Sequence, residues 1–444
     1  MYLFSTAVFR QFGNIPGGRG KAGDLCINAS DSVTISGSNL LGYSSGLATL
    51  TERGASGDAG NIVVTTGNFR VTDGANVIAS TFNDSKGGDI TINANTFEVL
   101  TGGQVITNTR GSGNAGSIRL NIKDNITIAS NDPNFAQRLN RVAEGIKNTG
   151  STDTVSDVIG NEGAASGIFA NTTAGSTGQG GSIFIDPPNM TIRNGTKVSV
   201  NSLGSGNAGN ITVEAGILTL DDRASISAQT GSTQGGNINL TAQNYLLMRR
   251  GSQISATAGT AQAGGDGGNI TINTPFLIAV PNENTDITAN AFTGTGGNIN
   301  INAQGIFGIE ARPQPSDKTN DITASSDFGL SGSVDINSPD NSSLQNSLTE
   351  LSQNVIDTNA LLANSCIVRS QEKQQSSFTI TGTGGLPNRP GDASMSNYST
   401  GDVRNITNEN TSPHWKKGDP IIEPQGVYRL SDGKLVMSRE CQND

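Results

Sequence analysis

Few side chains in this 444-residue sequence have the type and spacing that chemistry requires. The one histidine, His414, stands in His414-Trp415-Lys416-Lys417 with no second histidine and no matching cysteine, so a nucleophilic triad lacks its partners and the position reads as structural. Asp221-Asp222-Arg223 is the best local candidate for paired acid and base roles in glycosidic-bond cleavage. Adjacent aspartates are also ordinary turn chemistry, and neighbouring segments offer no evident second acidic cluster. Glycine-rich turns bind calcium when repeated in tandem, but Gly264-Gly265-Asp266-Gly267-Gly268-Asn269 occurs once and reads as a flexible corner. Lys416-Lys417 reads as a solvated turn. No catalytic, cofactor-binding or metal-binding residue is assigned, and a non-enzyme is expected.

Composition narrows the class. Charged residues are 15% of the chain and glycine accounts for 58 positions, against roughly 25% and 7% in an average soluble protein. Such a chain is either disordered or a tightly turned all-β stack, and periodicity decides which. The net charge of −10, without basic clusters, disfavours nucleic acid and anionic membranes as partners. No window approaches the apolar length of a membrane-spanning helix. Met1–Arg10 lacks the basic region and cleavage site of a signal peptide. Of the three cysteines, Cys26, Cys366 and Cys441, no pair has metal-ligand spacing; a Cys366–Cys441 bridge and free thiols both remain open.

The elements that would position any site come from a repeat. Glycine, a small or polar residue, then apolar–x–apolar recurs from Gly23-Asp24-Leu25-Cys26-Ile27 through Gly60-Asn61-Ile62-Val63-Val64 and Gly209-Asn210-Ile211-Thr212-Val213 to Gly332-Ser333-Val334-Asp335-Ile336. The commonest step is 28 residues, as from Gly60 to Gly88, Gly88 to Gly116 and Gly181 to Gly209. Asn-x-Thr triplets such as Asn210-Ile211-Thr212 are by-products of this motif. A second strand follows in each period, as in Phe69-x-Val71, Phe97-x-Val99, Ile126-x-Ile128 and Phe276-x-Ile278. A third follows, as in Val77-Ile78-Ala79-Ser80, Ile287-Thr288-Ala289-Asn290 and Ile322-Thr323-Ala324-Ser325. One unit cannot bury three apolar edges alone, whereas stacked units can. The expected fold is all-β: a right-handed parallel β-helix of about ten coils, each with three short strands, at roughly 4.8 Å per coil. Ile62, Ile90, Ile118, Ile183, Ile211, Ile238, Ile270 and Ile299 should form an aliphatic ladder, and the preceding glycines should supply positive φ or close backbone approach. A propeller blade needs a longer, four-stranded unit.

Residues 1–22 read as a partial N-terminal coil and 23–337 as the repeats. Between Gly116 and Gly181 the step lengthens to 65 residues, which places a loop insertion at about 130–166. Asn134–Glu144 within it has helical character, with Asp132 as a cap. The insertion is either a contact patch for a partner or glycan, or a tolerated excursion. Residues 338–365 read as a linker and a helix that could cap the solenoid. Residues 366–444 read as an irregular tail ending in a hairpin around Asp432-Gly433.

The Gly-Asn-Ile-Thr-Ile coils resemble those of the large cyanobacterial exoproteins of the filamentous haemagglutinin family. The tail resembles them more specifically: a cysteine before Phe378-Thr379-Ile380-Thr381-Gly382…Gly384-Gly385-Leu386-Pro387, then Glu423-Pro424-Gln425-Gly426. The resemblance implies a parallel β-helix, two-partner secretion through an outer-membrane pore, and an adhesive or structural role at the cell surface or in the medium. Surface glycans or receptors on host or neighbouring cells are the implied partners. The family's N-terminal secretion motif of Asn-Pro-Asn-Gly type is missing, so the chain reads as the distal part of a longer protein, a truncated copy or a mis-started gene. Two rivals stand beside this reading. A β-helical polysaccharide lyase or hydrolase requires acidic and basic side chains clustered on one coil face. A non-catalytic glycan-binding module requires exposed aromatics in a groove, against an aromatic content of 5% with Trp415 as the one tryptophan.

Overall fold

The computed structural model describes residues 3–8, 18–52, 54–149, 161–339, 404–405, 426–429, 433 and 435–438. The chain divides into two units, Met1–Ser343 and Leu344–Asp444. The first is a right-handed parallel β-solenoid. Ten first strands stack in parallel, from Leu25–Asn28 (rung 1) to Ser333–Asn337 (rung 10), and enclose about nine turns. First and second strands share one 13-stranded sheet, while third strands form an 11-stranded sheet that begins with Leu3–Val8. In rung 2 the first two strands are separate, Ile62–Thr65 and Asn68–Thr72. In rungs 3 and 4 they run through the corner as single strands, Ile90–Leu100 and Ile118–Ala129.

The repeat glycine is explained by approach, not by φ. A Cβ on Gly88 would sit 1.8 Å from the Gly60 carbonyl oxygen, and one on Gly209 would sit 1.7 Å from that of Gly181. These glycines do not have positive φ. The polar residue after the glycine also has a defined task. Its side chain accepts the backbone N–H of its equivalent one rung on: Asn61 N donates to Asp24 Oδ1 at 2.7 Å, Asp89 N to Asn61 Oδ1 at 2.9 Å, and Asn237 N to Asn210 Oδ1 at 2.9 Å. This satisfies a corner amide that the sheet ladder does not reach.

The interior is one continuous core. The first-strand isoleucines stand in register, Ile62 against Ile90, Ile90 against Ile118, and onward to Ile270 against Ile299, all fully buried. Each such side chain contributes roughly 1.5–3 kcal/mol relative to exposure. Phe69 and Phe97 stack on successive rungs with ring centroids 5.6 Å apart.

One second-strand assignment is corrected. In rung 8 the inward residues are Leu277 and Ala279, while Phe276 and Ile278 face outward. Seven residues separate Ile90 from the inward Phe97, but only six separate Ile270 from Phe276, and a slip of one residue turns every side chain to the other face.

The 130–166 insertion is anchored to the shaft. Helix α1 (Phe135–Thr149) is longer than the predicted helical stretch. It lies across the corners of rungs 1 to 3, where Gly42, Gly74 and Gly102 leave room: a Cβ on Gly74 would meet the Arg138 guanidinium, and one on Gly102 would sit 2.3 Å from Asp132 Cβ. Asp132 is not a simple cap. Its Oδ1 accepts Asn134 N at 2.8 Å and its Oδ2 accepts Arg138 Nη1 at 2.5 Å, with both side chains of the ion pair almost fully buried. The returning limb is also held: Gln104 Nε2 donates to the carbonyls of Gly163 and Ala165, and Glu162 accepts from Asn108 and Asn171. Residues 150–160 lie outside the described residues.

In the second unit, Gly426–Arg429 pairs antiparallel with Leu435–Ser438 and parallel with Arg404–Asn405. Gly433 lies between the antiparallel strands with φ +86°. The expected cap over 344–362 falls outside the described residues, as do Cys366, His414, Trp415 and Cys441.

Candidate functional site

Asp221, Asp222 and Arg223 lie at the corner between the second and third strands of rung 6, where Asp222 and Arg223 have φ of +46° and +59°. The stack brings charges to them that are distant in sequence. Arg250, one rung on, donates to Asp221, and Arg223 pairs with Asp222 at 3.2 Å. Arg249 grips Glu283 with two 2.8 Å hydrogen bonds, and Arg250 N adds a third to the same carboxylate. Arg249's hydrogen bonds hold the Glu283 carboxyl below its ordinary value, and Glu283 in turn raises the Arg249 guanidinium. The corner is therefore a run of ion pairs between rungs. It is a clustered acidic and basic surface, but its carboxylates are engaged by arginines.

A second acidic pair was missed in the sequence. Asp286 and Asp321 open the third strands of rungs 8 and 9 and lie directly beside one another, with Asp321 N donating to Asp286 Oδ1 at 3.0 Å. The signal was a repeated Asp-Ile-Thr-Ala, at Asp286–Ala289 and Asp321–Ala324. Asp321 is fully buried and accepts from Ser316 N at 2.6 Å and Thr319 Oγ1 at 2.8 Å, and it pairs with Arg312 Nε at 2.9 Å. Burial, reinforced by the charge of Asp321, pushes the Asp286 carboxyl up to about 6, against the pull of the Asp321 N–H. Asp286 thus takes up a proton at a higher pH than an ordinary carboxyl, next to a carboxylate that pairs with an arginine. Both carboxyl groups are buried, Asp286 at 8% and Asp321 at 0% exposure.

A concavity lies elsewhere, on the outer face of the second strands. It has a volume of about 550 Å³ and spans rungs 1 to 5, lined by Ser32, Asn68, Thr96, Asn125 and Asn189 in one row and by Thr34, Arg70, Glu98, Thr127 and Thr191 in the next. Each row is straight because the rungs are in register. Neighbours in the first row hydrogen bond to each other: Thr96 Oγ1 donates to Asn68 Oδ1 at 2.7 Å and Asn189 Nδ2 to Asn125 Oδ1 at 3.1 Å. In the second row Arg70 Nε donates to Glu98 Oε2 at 2.6 Å. The groove offers amides and hydroxyls at regular spacing and little net charge.

Of the other singled-out residues, Cys26 is an exposed free thiol on rung 1. Asp266, in the glycine-rich corner, accepts Thr295 N at 2.7 Å and acts as a rung-to-rung cap. Among the described residues, no group of three or more His, Cys, Asp or Glu is placed to hold a metal ion, and no helix is long and apolar enough to cross a membrane. Comparison of the chain with family models, with curated proteins and with solved structures finds no match.

Proposed function

We propose that the chain is a non-enzymatic shaft of an exported, surface-displayed protein of filamentous haemagglutinin type, carrying recognition surfaces along its sides. The observation that carries this reading is how the polar groups are used. On the outside of the stack, carboxylates, amides and guanidinium groups bond from one rung to the next, as in the Asp24–Asn61–Asp89 ladder and the Arg249–Glu283 and Arg70–Glu98 pairs. Such bonding stiffens a rod and leaves few groups poised to turn over a substrate. Export through an outer-membrane pore and display outside the cell belong to the same proposal and rest on the family resemblance of the coils and tail.

A second reading, a β-helical polysaccharide lyase or hydrolase, is favoured by Asp286 beside Asp321 and Arg312. One experiment separates the two. The full chain is incubated with pectate, alginate, xylan and glucan from pH 4 to 8, and new reducing ends and unsaturated uronates are measured. Beads coated with the full chain are tested in parallel for retention on a cell layer. Retention without turnover supports the shaft. Turnover that disappears in Asp286→Asn would overturn it in favour of the enzyme.

A further inference from the structure

The row that lines the polar groove does not end at rung 5. In register with Ser32, Asn68, Thr96, Asn125 and Asn189 it continues through Ile217, Tyr245 and Phe276 to Gly305. At rung 9 the Phe307 ring fills the place of the missing side chain: a Cβ on Gly305 would lie 2.9 Å from Phe307 Cε2 and 3.3 Å from Phe276 Cδ1. Phe276 and Phe307 are 6.4 Å apart, tilted by 36°. Phe276 is 42% exposed, and Tyr245, Leu247, Ile278 and Phe307 are half-buried on the same outer face. One face therefore carries a single track, polar over rungs 1 to 5 and aromatic over rungs 7 to 9. Across both of its rows the charged side chains are Arg70 and Glu98, which neutralise each other.

The apolar strip is three rungs long and two residue rows wide, with Ile217 extending one row by a fourth rung, roughly 200 Å² from strand and rung spacings. A stable protein partner covers about 800 Å² on each side, so the strip suits a narrow linear ligand better than a second copy of the chain. The ligand must be apolar on its faces and hydroxyl-rich at its edges, to match rings at one end and amides at the other. It must be extended, because the track is straight, and uncharged, because the track is neutral on a chain of net charge −10.

We infer that the second-strand face binds a neutral, extended polysaccharide, with Tyr245, Phe276 and Phe307 stacking on sugar rings and the Asn68–Asn189 row bonding to hydroxyls. This deepens the shaft reading by naming a partner class, and it rests on the chain meeting such polymers outside the cell.

The test is native gel retardation of the full chain by hydroxyethylcellulose and by soluble xylan, with dextran sulfate as an anionic control and light scattering for self-association. The intact chain should be retarded by at least one neutral polymer. The double variant Tyr245→Ala/Phe276→Ala should lose at least tenfold in affinity with unchanged thermal unfolding, while Phe276→Tyr, which keeps the ring, should bind. No retardation by either neutral polymer, retardation by dextran sulfate alone, or undiminished binding by the double variant would overturn the inference. So would a dimer that the double variant converts to a monomer, since the strip would then be a contact between copies. Retention of coated beads without neutral-polymer binding would remove the partner class and leave the shaft standing.

Discussion

Arg138→Met tests whether the insertion is a fixed part of the shaft. Arg138 and Asp132 are 3% and 4% exposed, and the guanidinium also donates to Ser44 Oγ at 2.6 Å and to the Gly42 carbonyl at 3.3 Å. Methionine keeps much of the volume but leaves the Asp132 carboxylate buried with only the Asn134 N–H, and strips the Gly42 carbonyl of this donor. Removing one member of a buried pair costs about 3–5 kcal/mol. At 1.36 kcal/mol per decade, that corresponds to roughly a 10²–10⁴-fold more frequent local opening of helix α1. Hydrogen exchange of the α1 amides reads this directly, with the first-strand amides of rungs 6 to 9 as internal reference. The double variant Asp132→Asn/Arg138→Met removes both charges and should recover more than half of the lost protection. A loss of less than tenfold in Arg138→Met would refute the reasoning, because the pair would then be solvated and the insertion a loose excursion. Uniform loss over all rungs would refute it differently, by making α1 a requirement for the whole stack.

Three further outcomes are expected. Because the Asp286 carboxyl sits at about 6, above the ordinary 3.8, the folded chain binds that proton more tightly than the unfolded chain. Its stabilising contribution is complete below about pH 4 and is lost as pH rises through about 6, by roughly 1–3 kcal/mol after allowance for solvent screening; Asp286→Asn should flatten this limb in denaturant titrations at pH 4 to 7.5. Gly209→Ala should open the ladder around rungs 5 and 6 and cost about 1–3 kcal/mol or more, on the scale of overpacked cores, whereas Gly231→Ala, with nothing nearer than 3.7 Å and no positive φ, should be neutral or stabilise by about 0.4–1 kcal/mol in thermal melts. Glu283→Gln should cost about 1 kcal/mol at low ionic strength and less in high salt, since the Arg249–Glu283 pair is partly exposed.

The solenoid was legible because its cause is local and repeated. The spacing of Gly60, Gly88 and Gly116 and the isoleucines two residues beyond them state both the strand and its register, and in-register stacking follows from the need to bury those isoleucines. The Asp-Ile-Thr-Ala pair and the six-residue step from Ile270 to Phe276 were also written there, and went unread because each is a small departure inside a strong pattern. Other features were not written in any local window. Arg138 meets Gly42 and Ser44 across more than ninety residues, and Arg249 reaches Glu283 across 34; which rung a corner side chain leans towards depends on side chains supplied by other coils. The polar and aromatic halves of the second-strand face likewise become one track only when Asn189, Ile217, Tyr245 and Phe276 are set in line by backbone pairing between coils. The sequence by itself determined that the chain coils and what lies inside the coil, because burial repeats with the period of the motif. The tertiary structure decided what the outside presents, because each outer surface is assembled from residues that meet only across rungs.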